Sequence, residues 1–135
     1  MLGLSYGGFY TLYTTAIETR IKAALSCAFF NNRFSMSVED YYHSHCDWTW
    51  FESGKTFLDG EIALLTYPRH LKVISGDEDE LFNVDEFNDV LQKTKEIIKK
   101  KGKDTGWFDG EVFNGNHEFP KDDRYIEELI AKLNG

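Results

Sequence analysis

Five residues into the chain stands Gly3-Leu4-Ser5-Tyr6-Gly7, followed by Gly8. The spacing G-x-S-x-G is that of a nucleophile elbow, a sharp strand-to-helix turn that presents a serine hydroxyl to a carbonyl substrate. The glycines have a steric reason. The turn strains the serine backbone, and strand and helix approach so closely that side chains at Gly3 and Gly7 clash, with Gly8 a third place lacking a Cβ. Ser5 then sits at the mouth of a helix, where the dipole favours developing negative charge and the Tyr6 N–H is a natural oxyanion donor.

A serine hydroxyl is a weak nucleophile until a base takes its proton and a third group orients that base. After an elbow of this kind the partners follow in the order Ser, then Asp or Glu, then His, each on a loop after a strand. The acid candidates follow the strand-like run Leu71-Lys72-Val73-Ile74-Ser75, in Gly76-Asp77-Glu78-Asp79-Glu80-Leu81-Phe82. A calcium loop is excluded there, because the alternation of oxygen ligands stops at Leu81 and no glycine follows for the turn. The base candidate is His117, in Phe113-Asn114-Gly115-Asn116-His117-Glu118-Phe119, between an apolar stretch and a C-terminal helix. Its imidazole titrates near neutrality, and a carboxylate on one ring nitrogen would leave the other to take the serine proton.

With these three segments in order, the chain resembles the C-terminal half of an α/β-hydrolase, close to the dienelactone-hydrolase and acetyl-esterase group. Ser5-Tyr6-Gly7-Gly8-Phe9 is also similar to the elbow of prolyl-oligopeptidase-type serine peptidases. Gly76-x-x-Asp79 resembles the acid loop of many α/β-hydrolases, which makes Asp79 the first choice for the acid and Asp77 the second. The resemblance implies an α/β fold of about three parallel strands with flanking helices, the N-terminal strands of the sheet missing. The loop that gives relatives a second oxyanion N–H is expected to be missing with them.

The remaining residues supply the elements that hold these loops. A helix is expected from about Gly7 to Glu18, then a buried strand over Ile21 to Phe30, whose continuous apolar character suits a sheet covered on both faces. A short helix around Gly60 to Thr66 precedes the Leu71 strand, and Asn83 with Glu86 forms a variant capping box for an amphipathic helix carrying Phe87, Val90, Leu91, Ile97 and Ile98. Trp107 to Phe113 reads as the last strand, and Tyr125, Ile126, Leu129, Ile130 and Leu133 mark the closing helix. Lys99-Lys100-Lys101-Gly102-Lys103 is a helix C-terminus, with cations on the dipole and Gly102 as left-handed cap. Alternating strands and helices without internal repeats imply an α/β layer fold, which the resemblance makes a single partial α/β-hydrolase domain over residues 1–135.

From Asn31 to Phe57 the residues are aromatic and polar without sustained period, including Tyr41, Tyr42, Trp48, Trp50 and Phe51. This 31–57 insertion leaves the end of a strand at which open α/β sheets bind ligands, so it reads as a cap over the site or as a satellite core beneath a long loop. His43-Ser44-His45-Cys46 holds three metal-capable side chains but no fourth ligand at established spacing, and no metal is expected.

Hydrophobic residues make up 41% and aromatics 16% of the 135 residues, enough for one globular core. A net charge of −8 argues against nucleic acid or an anionic membrane as partner, since both would repel the chain. No run is long enough to span a bilayer and no secretion signal opens the chain, so the cytoplasm is the expected compartment. Cys27, in an apolar run, and Cys46, in a polar aromatic loop, are expected as free thiols.

The expected function is ester hydrolysis on a small substrate through Ser5, Asp79 and His117, without a cofactor. Turnover is expected to be weak without the missing half. The alternatives are a peptidase using the same residues and a catalytically silent protein that pairs through an open strand edge. That edge would be the Ile21 strand, left to a second copy or to the missing N-terminal half.

Overall fold

Apolar runs alternate with amphipathic ones along the chain, and each folds by its period. In the computed structural model, which describes residues 1–35 and 56–134, strand β1 (Leu2–Leu4) leads into helix α1 (Tyr6–Ile17), and β2 (Ala23–Cys27) follows. Helix α2 (Asp59–Leu64), strand β3 (His70–Gly76), helix α3 (Val84–Lys100), strand β4 (Phe108–Phe113) and helix α4 (Arg124–Asn134) complete the order. The four strands lie side by side as β1-β2-β3-β4, all parallel. That is one strand more than expected, because Leu2–Leu4 pair with Leu25–Cys27.

Two expectations change with β1 in place. The apolar run Ile21 to Phe30 is strand only over Ala23–Cys27, because Ala28 takes a φ of 49° that extended backbone cannot continue. Ala28, Phe29 and Phe30 leave the sheet but stay buried in the core. Nor is this run the open edge, since β2 is paired on one side by β1 and on the other by β3. Among the described residues the edge strands are β1 and β4.

Alternation along the strands sends neighbouring side chains to opposite faces. Ala24, Leu71, Val73 and Phe108 meet Leu12 of α1, Ile62 and Ala63 of α2, and Phe87 and Ile98 of α3 on one face. Leu25, Cys27, Ile74 and Phe113 meet Tyr125 and Leu129 of α4 on the other. Each large side chain so buried contributes roughly 1.5–3 kcal/mol. Helix α4 turns only part of its apolar set inward, leaving Ile126, Ile130 and Leu133 exposed.

The ends of α3 follow the sequence closely. The Asn83 side chain accepts from the N–H groups of Asp85 and Glu86 at 2.9 and 3.1 Å. At the other end Gly102 adopts φ 64°, and the N–H groups of Gly102 and Lys103 close on the carbonyls of Lys99 and Ile98. These caps fix where α3 begins, and hence the length of the loop between β3 and α3. Among the described residues no helix is long and apolar enough to cross a membrane.

Candidate active site

Because all four strands run parallel, the loops after β1, β3 and β4 open at one edge of the sheet, and these loops carry Ser5, Asp79 and His117. Ser5 occupies the single residue between β1 and α1 with φ 57° and ψ −117°. A non-glycine residue held there costs about 1–3 kcal/mol and persists only where its surroundings over-determine it. Those surroundings are two hydrogen bonds. The Ser5 N–H donates to the Cys27 carbonyl at 2.9 Å, and the Ser5 carbonyl accepts from the Phe9 N–H at 2.9 Å. Tyr6, the proposed oxyanion donor, is the first residue of α1, at the positive end of its dipole.

The glycines divide differently from the sequence expectation. A Cβ on Gly3 would lie 2.1 Å from the Gly7 carbonyl oxygen, and one on Gly8 would lie 2.6 Å from that of Cys27. At Gly7 nothing lies within 4 Å of a Cβ. Gly3 and Gly8 are therefore the positions closed to side chains, and Gly7 enters the clash only as the backbone that Gly3 touches.

His117 meets Asp79 directly, with Nδ1 and Oδ2 2.9 Å apart. The Asp79 side chain is wholly shielded from solvent while that of His117 is 23% exposed. The other carboxylate oxygen, Oδ1, accepts from the N–H groups of Leu81 and Phe82 at 2.9 and 3.0 Å. Burial pushes the Asp79 carboxyl up, but the hydrogen bonds from His117, Leu81 and Phe82 and the His117 charge outweigh it, leaving the group below its ordinary value. An ionised carboxylate only accepts, so Nδ1 carries a proton, and in the neutral ring the lone pair is on Nε2. Phe82 lies parallel to the imidazole, 9° between planes and 5.5 Å between centroids, which limits the ring's rotation.

Cys27 connects the two halves of this arrangement. Its carbonyl accepts the Ser5 N–H, and its thiol lies 3.4 Å from the carbonyl of Glu118, the residue after His117. The serine turn and the histidine loop thus rest on one residue at the end of β2. Burial, with the charge of Asp79, raises the Cys27 thiol to about 12, so this cysteine is a packing group and not a second nucleophile.

Asp77, the second choice for the acid, takes another role. Its carboxylate accepts from the Gly115 N–H at 2.9 Å and the Asn114 amide at 3.3 Å, on the backbone side of the histidine loop. The Gly115 and Asn114 bonds hold it below its ordinary value.

A further feature had no sequence signal. Arg33, just inside the 31–57 insertion, and Asp59, just after it, form an ion pair at 2.6 Å in which both side chains are fully buried. Arg33 also donates to the Phe29 carbonyl and lies 4.0 Å over the Phe29 ring, while Asp59 accepts from the Asn31 N–H. Neither periodicity nor spacing distinguishes these two residues from surface charges. Most of the insertion lies outside the described residues, among them Tyr41, Tyr42, His43, His45, Cys46, Trp48, Trp50 and Phe51. Among the described residues no cluster of three metal-capable side chains occurs.

Compared with known proteins, the sequence matches no protein-family model and no curated protein. Solved structures match along nearly its whole length. A glucuronoyl esterase from Solibacter usitatus superposes with a TM-score of 0.65 at 15% identity, over 97% of this chain and 41% of that one. The chain has part of the α/β-hydrolase fold. An esterase of the CE15 group from a marine bacterial metagenome gives 0.60 at 18% identity, over 96% of this chain and 40% of that one. The acylaminoacyl peptidase of Pyrococcus horikoshii gives 0.60 at 16% identity, over 98% and 21%. This piece of the α/β-hydrolase fold spans about two fifths of the length of those esterases. By name these neighbours are esterases and a peptidase.

Proposed function

We propose that the chain carries the nucleophile, base and acid of a serine hydrolase acting on small carboxylic esters. The observation that carries the reading is the bond between His117 Nδ1 and the buried, ionised Asp79, because it leaves Nε2 as a base at the edge where the strained Ser5 turn opens. The Ser5 hydroxyl attacks the ester carbonyl carbon, and its proton passes to His117. The oxyanion is met by the Tyr6 N–H at the start of α1. Collapse expels the alcohol, which takes the proton back from His117, and water repeats the sequence on the acyl-enzyme.

In this reading one oxyanion donor is assigned among the described residues, and each such donor is worth about 2.7–4 kcal/mol in turnover. The free edge of β1 and the exposed Ile126, Ile130 and Leu133 favour association with further α/β structure or a second copy, which sedimentation at rising concentration tests. The likeness to acylaminoacyl peptidase favours a second reading, peptide hydrolysis with the same three residues.

A fluorophosphonate probe tests the chemistry. Ser5 is the expected labelled residue, and Ser5→Ala removes the label. Absence of label on Ser5 overturns the assignment. Faster release of acylated peptides than of aryl acetates would select the peptidase reading.

A further inference from the structure

The loop that carries His117 leaves β4 at Phe113 and has no helix or strand of its own until Arg124. Something must hold it still, since a base displaced by even 1 Å loses much of its rate. The acid loop supplies three ties. The Asp77 N–H donates to the Phe113 carbonyl at 2.9 Å and the Glu78 N–H to the Gly115 carbonyl at 3.0 Å. The third is the Asp77 carboxylate, bonded to the Gly115 N–H and the Asn114 amide. Gly115 is therefore held at both its N–H and its carbonyl, two residues before His117. The contact is close enough that a Cβ on Gly76 would fall 2.3 Å from the Gly115 oxygen and 2.4 Å from that of Asn116.

We propose that Asp77 is a positioning residue for His117, its carboxylate clamping the Gly115 N–H and the Asn114 side-chain amide so that the imidazole meets Asp79 with Nδ1. The two aspartates of the loop then divide the work. Asp79 touches the ring, whereas Asp77 touches only the chain that carries it. The inference rests on the reading of His117 as the base, but its test does not pass through Ser5.

Asparagine at position 77 keeps an oxygen for the Gly115 N–H, and its amide can face a flipped Asn114 side chain. Alanine keeps neither. The experiment is nitrogen and proton NMR of the His117 ring in the chain, Asp77→Ala and Asp77→Asn. The expected result is a dominant Nδ1–H form with a slowly exchanging, low-field proton in the parent. In Asp77→Ala that proton should exchange roughly tenfold faster, the loss of about one hydrogen bond, and in Asp77→Asn the parent rate should return. Parent exchange in Asp77→Ala overturns the proposal. So does an Asp77→Asn variant as impaired as Asp77→Ala, which would make charge and not the clamp responsible. Asn114→Ala, which removes only the longer contact, gives a milder variant with an expected change between parent and Asp77→Ala; equal loss in a folded Asn114→Ala would also count against the carboxylate. Failure of Ser5 to take a fluorophosphonate leaves these ring measurements readable, so the two ideas fail separately.

Discussion

Asp59 and Asp79 both have side chains fully withdrawn from solvent, and each faces one basic partner, yet the two pairs are built for different ends. Asp59 faces a guanidinium that is itself wholly buried, that stays charged at any relevant pH, and that has an aromatic ring beneath it. Asp79 faces an imidazole that reaches solvent and can gain or lose a proton. A permanent charge in a closed site can only hold things together. A titratable ring with one nitrogen committed to a carboxylate and the other at the sheet edge can move a proton.

The sharpest way to break this contrast is Asp79→Asn. With the amide oxygen kept by the Leu81 and Phe82 N–H groups, the amide nitrogen faces Nδ1 and donates to it, so the ring is driven to its other tautomer, and the rate of Ser5 labelling should fall on the order of 10⁴-fold. Stability should fall by only about 1–3 kcal/mol, since Oδ1 still accepts from Leu81 and Phe82. Equal labelling rates would place the acid elsewhere. Asp59→Ala should invert the pattern. It leaves the Arg33 charge buried without its carboxylate, an expected loss of about 3–5 kcal/mol in urea unfolding. A loss under about 1 kcal/mol would mean the pair is no anchor.

The smallest effect is in acid. The Asp79 carboxyl titrates below its ordinary value, so its contribution is present above the unfolded value near 3.9 and is lost as pH falls through the lower folded one. Asp109 and Glu111 are lowered in the same direction, each despite partial desolvation, by hydrogen bonds from Lys95 and from Arg124 and Tyr125 respectively. Stability below about pH 4 should therefore decline, and the slope should be shallower in Asp79→Asn. An unchanged slope would show that Asp79 is not held ionised by its partners.

The residues of the candidate site carry local signals in the sequence. Ser5 announces itself by flanking glycines, Asp79 by its distance from Gly76, and His117 by its place between a strand and a helix. The elements around them have clear periods, and α3 even shows its cap in Asn83. What escaped notice was set by contacts distant in sequence. Three residues, Leu2–Leu4, are too few to show alternation, and they become a strand because β2 offers them an edge. The run Ile21 to Phe30 looks uniform, yet it breaks at Ala28, whose N–H is taken by the Ile74 carbonyl. Arg33 and Asp59 carry the composition of surface residues and are buried only because each has the other. The division of labour between Asp77 and Asp79 likewise depends on a loop some forty residues further along, and no reading of four adjacent acids contains it.

The strands stand in the sheet in the order in which they occur in the chain. No strand must be inserted between two already joined, so during synthesis each can dock on the edge left by the one before. The serine turn is held once β2 has formed, but its base arrives on the loop after β4. A chain halted before that last strand docks would hold a nucleophile with nothing to activate it, and in the proposed chemistry hydrolysis would begin only as assembly ends.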